Sequence, residues 1–116
     1  EELPETLNEG HSVLIVAESM DSSTERIVKY LFGQGIRINA VAPGGVDTAI
    51  WDSSQDFRAG VAAHGRDATL AAMAATTPRG RFATPDEIAG EIAFLLSDLA
   101  GNVTGTVHVT DGGYSL

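Results

Sequence analysis

The sequence predicts an α/β fold, a three-stranded parallel half sheet with flanking helices. Three observations predict it. Ser12-Val13-Leu14-Ile15-Val16-Ala17 is a continuous apolar run of strand length, bounded by Gly10 and by Ser19-Met20-Asp21. It reads as a strand buried on both faces, as in a parallel sheet. A helical stripe then leads directly into a second strand, Ile36 to Ala42. A long apolar helix over 84–99 leads in turn to a third strand, Thr106 to Thr110.

Taken in order, Glu1 to Gly10 is polar and acidic, with Leu3 and Leu7 one helical turn apart. After the first strand, Ser22-x-x-Glu25 has the spacing of a capping box, in which a serine oxygen accepts from an early backbone N–H. Ile27, Val28 and Leu31 form the apolar stripe of a helix over 22–32, and Glu25 with Lys29 is an i,i+4 pair. Gly33 suits the position just past its end. This first βαβ unit is expected to cross over right-handed.

In the second strand Ile36, Ile38 and Ala40 alternate with Arg37, Asn39 and Val41. It breaks at Pro43-Gly44-Gly45, where proline cannot donate to a ladder and glycines permit positive φ. Ala49 to Thr76 is alanine-rich, with Trp51 and Phe57 as its large apolar groups, and two short helices fit it. Thr84-Pro85-Asp86-Glu87 is a helix start with Thr as N-cap, Pro at N1 and Glu at N3. Ile88, Ile92, Leu95, Leu96 and Leu99 mark one face of the helix that follows. Asp111-Gly112-Gly113 is a turn.

A chain of 116 residues is expected to form one domain over 1–116. Hydrophobic content of 43% with 20% charged residues is the composition of a globular protein. Seven basic against sixteen acidic residues give a net charge of −9, which argues against nucleic acid or anionic membrane as a partner. With no cysteine there is no disulfide or thiolate chemistry, and the histidine spacing holds no metal-site signature. No apolar run is long enough to span a membrane. The N-terminus does not read as a signal peptide, so cytoplasm is the expected compartment.

Gly35-Ile36-Arg37-Ile38-Asn39-Ala40-Val41-Ala42-Pro43-Gly44-Gly45-Val46-Asp47-Thr48 resembles the sixth strand and following loop of short-chain dehydrogenases/reductases. Thr77-Pro78-Arg79-Gly80-Arg81-Phe82-Ala83-Thr84-Pro85-Asp86-Glu87 is similar to the approach to that family's last helix. Asn102 to Thr106, continuing to Asp111-Gly112-Gly113-Tyr114, is similar to its last strand and tail. The resemblance covers about Gly35 to Leu116 and implies a Rossmann-like half sheet, the C-terminal half of the family's domain. It also implies a nicotinamide-side loop, in which Pro43, Gly44, Val46 and Thr48 contact the cofactor. The family's remaining machinery has no counterpart here. There is no Gly-rich turn between a strand and a helix to hold a pyrophosphate. Neither Tyr30 nor Tyr114 has a lysine four residues later to lower its pKa for proton transfer. No cofactor is therefore expected for the isolated chain, and NAD(P) only if a missing N-terminal half completes it.

The strand ends supply Glu18 and Ser19, Asp47 and Thr48, and Asp111. Neighbouring strands lie about 4.8 Å apart, so Glu18 and Asp47 are a candidate catalytic pair, their pKa values split into acid and base. Ser19, Trp51, Phe57 and His64 are the candidate substrate contacts. The leading expectation is non-redox chemistry, namely isomerisation, elimination or cyclisation of a small organic molecule. One alternative is part of an NAD(P)-dependent oxidoreductase acting on a carbonyl or alcohol. The other is a non-catalytic binding or oligomerisation module. A three-stranded sheet exposes an edge, so a homo-oligomer is expected through that edge, the 84–99 helix or the last strand.

Overall fold

The computed structural model describes residues 12–16 and 21–116. The elements are β1 (Ser12–Val16), α1 (Ser22–Gly33), β2 (Arg37–Pro43), α2 (Gln55–His64), α3 (Arg66–Ala74), α4 (Pro85–Leu96) and β3 (Val107–Thr110). Short 3-10 helices cover Ala49–Ser53 and Asp98–Ala100. None of the helices among the described residues is long and apolar enough to cross a membrane.

The sheet order is β1-β2-β3. The registered parallel ladder joins two strands, β1 and β2, from Ser12 opposite Arg37 to Val16 opposite Val41. The expected three-stranded ladder is thus met in part. The four-residue β3 meets β2 through scattered backbone bonds, Ala40 N–H to the Thr106 carbonyl at 2.9 Å and Gly44 N–H to that of Thr110 at 3.1 Å. Within β2 the expected one-sided alternation gives way to burial of Ile38, Asn39 and Val41. A strand with neighbours on both sides and cover on both faces buries consecutive residues.

The described residues divide into two compact units, one holding the chain up to Ala42 with Gly90–His108, the other Pro43–Ala89 with Val109–Leu116. The first unit has its core at Ile38, Val41, Leu95 and Ala100. Buried Asn39 is engaged at both ends of its amide: its Nδ2 donates to the Val103 carbonyl at 2.9 Å, and its Oδ1 accepts from the Thr106 hydroxyl at 2.9 Å and the Thr106 N–H at 3.3 Å. Arg37 donates to the carbonyls of Leu95, Ser97 and Val103 at 2.9–3.1 Å. Those carbonyls lie at and beyond the end of α4, where backbone acceptors lack helical partners. The expected 84–99 helix accordingly stops at Leu96.

Three details of α1 differ from expectation, the first at its end: Gly33 is still helical, Gln34 is the C-cap, and the glycine with positive φ is Gly35 at 74°. Its N-cap is Asp21, whose Oδ1 accepts from the Thr24 N–H at 2.7 Å, one residue before the anticipated Ser22. A carboxylate there also meets the positive end of the helix dipole. Its half-buried positions are Thr24, Val28 and Leu31, spaced i, i+4, i+7, and Ile27 beside them is 59% exposed. The Glu25–Lys29 pair forms at 2.7 Å.

The second unit has its core at Phe57, Leu70 and Ala74. The anticipated start of α4 is a reciprocal capping box: Thr84 Oγ1 accepts from the Glu87 N–H at 3.2 Å, and Glu87 Oε2 accepts from the Thr84 N–H at 2.9 Å. Arg79 and Arg81 also reach Glu87, at 3.1 and 2.6 Å. The Arg81 hydrogen bond, then the Thr84 N–H, lowers the Glu87 pKa to about 2.

Candidate functional site

Proline 43 ends β2 and releases the chain into the loop 44–54. Neither Gly44 nor Gly45 has positive φ. Both are required instead for close approach. A Cβ on Gly44 would lie 2.7 Å from the Asp111 Cα, and one on Gly45 would run into the Phe82 ring. These contacts press the loop against the segments 82–83 and 110–111 of its own unit. A parallel bridge pairs Val46 with Ala83, Ala83 donating to the Gly45 carbonyl and Asp47 to the Ala83 carbonyl, each at 2.9 Å.

That bridge uses the groups on either side of Val46 and leaves Val46's own amide and carbonyl on the opposite side, as parallel pairing dictates. The carbonyl accepts from the Trp51 indole Nε1–H at 2.7 Å. The Val46 N–H has no acceptor among the described residues. Thr48 Oγ1 accepts from the Ile50 N–H at 3.4 Å, capping the 3-10 turn, and its own proton remains available to donate. Val46, Thr48 and Trp51 line one groove of about 490 Å³ with Gly44, Ile50, Ser53 and Ser54. Trp51 is fixed from both sides, by its indole bond and by stacking on Phe82 at 5.1 Å between ring centroids.

The other predicted site residues fare differently. Gly44, Val46, Thr48 and Trp51 come together on the groove, whereas Pro43 is exposed at the strand end and does not line it. Phe57 is a core residue, 3% exposed, outside the groove lining. His64 is the last residue of α2, exposed and equally outside it. Glu18 and Ser19 lie outside the described residues, so the expected carboxylate pair has only Asp47 in place. Asp47 is itself engaged: its Oδ1 accepts from Arg66 Nη2 at 2.6 Å. The same guanidinium donates to Asp52 Oδ1 at 2.9 Å and to the Thr48 carbonyl at 3.1 Å, and lies 5.2 Å above the Phe57 ring. Asp47 is thus an acceptor in this ion pair. Asp111 is also used locally, accepting from Gly113 N–H at 2.9 Å and Ser115 N–H at 2.8 Å. The Ser115 hydrogen bond is the first cause of its lowered pKa. No cluster of His, Asp and Glu among the described residues could hold a metal ion.

Arg66 is the residue that sequence reasoning missed. One signal was available. It opens α3, where a cation opposes the helix dipole, so a partner elsewhere was needed.

Comparison with known proteins bears on the family and the fold. The family described as enoyl-(acyl carrier protein) reductase matches residues 15–115. Among curated relatives, cis-4-hydroxycyclohexanecarboxylate dehydrogenase of Sinomonas cyclohexanicum is 48% identical over 81 residues, covering 70% of this chain and 28% of that protein. A short chain dehydrogenase family protein from Francisella tularensis superposes with a TM-score of 0.70 at 28% identity, covering 93% of this chain and 52% of that one. The L-sorbose reductase of Gluconobacter frateurii, solved with NADPH and L-sorbose, superposes with a TM-score of 0.66 at 27% identity, covering 78% and 35%. The chain thus spans about a third of the length of the curated relatives it matches. These relatives are dehydrogenases and reductases, and none of these names supports the non-redox expectation.

Proposed function

The chain belongs to the short-chain dehydrogenase/reductase family, and from that premise we propose that it is the nicotinamide-side portion of an NAD(P)-dependent oxidoreductase acting on a carbonyl or alcohol. The observation that carries this reading is the Val46 N–H, without an acceptor among the described residues and beside the Thr48 hydroxyl on one groove. A carboxamide offers one carbonyl acceptor and one amino donor, and the loop offers a backbone donor and a hydroxyl that can both accept and donate. The residues present therefore fit the nicotinamide end. When bound, that ring supplies the site that gives or takes hydride. This chain's own part is to hold the carboxamide, to keep one face of the groove apolar through Ile50 and Trp51, and to fix the loop by the Trp51–Val46 bond.

The pyrophosphate and the proton-transfer pair lie outside this reading of the chain, since its sequence holds neither the Gly-rich turn nor the Tyr-x-x-x-Lys spacing. Binding of the whole dinucleotide by these residues alone is accordingly weak. Apolar side chains left exposed on the last helix and its continuation, Phe94, Leu96 and Leu99, and on the last strand, Val107, support self-association in the same reading. The test is an NMR titration of the protein with NADH and NADPH. The amides of Val46 and Thr48 are expected to shift at millimolar ligand. Thr48→Val should weaken the response about five- to ten-fold, the worth of one hydrogen bond, with recovery in Thr48→Ser. No shift at either amide overturns the reading.

A further inference from the structure

The cofactor loop after β2 is closed by a charge cluster that spans from residue 47 to residue 66. Arg66 contacts the loop three times, at Asp47 Oδ1, the Thr48 carbonyl and Asp52 Oδ1. These contacts bracket the Thr48 hydroxyl on one side and Trp51 on the other. The guanidinium face rests on buried Phe57, which belongs to α2, at 5.2 Å. One side chain thus ties the loop to the starts of both helices that follow it. Its position at the first turn of α3, under an N-cap that gives no side-chain hydrogen bond, is electrostatically unfavourable for a cation. Two carboxylates offset that cost. The ion pairs are partly open to solvent, with side-chain exposures of 35% for Arg66, 42% for Asp47 and 58% for Asp52. Ion pairs in that range are weakened by salt.

We propose that Arg66 is a positioning residue, a latch that holds the 46–52 loop in the shape that presents the Val46 N–H and the Thr48 hydroxyl to nicotinamide. The functional half of this statement rests on the cofactor reading above; the latch itself does not. Arg66 touches no group assigned to the cofactor. It acts through Asp47, the Thr48 carbonyl and Asp52. Planarity matters to it: a guanidinium reaches two carboxylates and a carbonyl at once while stacking on a ring, and an ammonium does not. Opening of the latch frees the loop carrying Trp51, whose indole N–H then loses the Val46 carbonyl.

The Trp51 indole N–H is therefore the probe, assigned in the NMR spectrum by Trp51→Phe and followed by hydrogen exchange without any ligand. Arg66→Met is expected to speed its exchange about ten-fold or more, Asp52→Asn less, and Arg66→Lys between Arg66→Met and wild type. Molar sodium chloride should speed exchange in wild type and leave Arg66→Met unchanged. An indole exchange rate in Arg66→Met within two-fold of wild type overturns the latch. If Arg66→Met fails to fold, Asp52→Asn and the salt series decide the same question. A second arm separates the latch from the cofactor. With NADH, Arg66→Met should weaken the shifts at Val46 and Thr48 while Arg66→Lys restores part of them. If wild type shows no such shifts but its indole exchange behaves as expected, the cofactor reading falls and the latch stands.

Discussion

The two ends of β2 are held by different chemistry. At the Arg37–Val41 end the polar contacts are made to backbone and neutral groups: Arg37 to three carbonyls, Asn39 to a carbonyl, an N–H and a hydroxyl, and the Ile38 N–H to Thr104 Oγ1 at 3.1 Å. Beyond Pro43 similar backbone contacts are joined by ion pairs between side chains, Arg66 with Asp47 and Asp52, and Arg79 and Arg81 with Glu87. Asn39 is 3% exposed, whereas the paired side chains beyond Pro43 are 35–58% exposed. The difference teaches where this chain can be tuned. Neutral buried bonds are indifferent to salt and to mild acid but costly to break. Exposed ion pairs contribute little each, and they respond to both.

The largest expected effect breaks the buried end. Asn39→Ala removes one of the two donors to the Val103 carbonyl, leaving Arg37, takes the acceptor from the Thr106 N–H, and opens a void beside Ile38 and Val41; it should cost about 2–3 kcal/mol in denaturant unfolding, independent of salt. A loss below about 1 kcal/mol would mean that water replaces the side chain and the two ends are alike. Smaller, at the charged end, Thr84→Ala removes the cap of α4 and should cost about 1 kcal/mol by the same measurement. The smallest effect sharpens the comparison through pH. The Glu87 pKa falls from an ordinary 4.5 to about 2, first through the Arg81 hydrogen bond. A lowered folded pKa means that its contribution is complete above about 4.5 and fades as pH falls toward 2. The difference in melting temperature between wild type and Glu87→Gln should therefore be constant from pH 7 to 5 and disappear near pH 2. A difference that persists at that pH would show that Glu87 acts by shape and not by charge.

Much of the fold was legible because its signals are local. Pro85 and the Thr84–Glu87 pair specify a helix start within four residues, and the Glu25–Lys29 contact was readable as an i,i+4 pair. The break at Pro43-Gly44-Gly45 was legible too, though for another reason than expected: the glycines admit neighbours and not a left-handed backbone. The site was legible only along its motif, where Gly44, Val46 and Thr48 share the groove with Trp51. That Phe57 and His64 do not line this groove was not legible, because an aromatic or a histidine in an alanine-rich segment carries no mark of which side faces a groove. The Arg66 partner of Asp47 was not legible because it lies 19 residues away, across two helices with no shared periodicity.

By itself, then, the sequence determined the order of elements, the point where β2 ends, the capping of α4 and membership of the family. Each of these depends on neighbours in the chain or on a motif of fixed spacing. The tertiary structure decided that Asp47 and Asp52 meet Arg66, and that the Val46 amide has no acceptor among the described residues. Those outcomes depend on which distant groups packing brings within about 3 Å of each other, and no spacing along the chain encodes that distance.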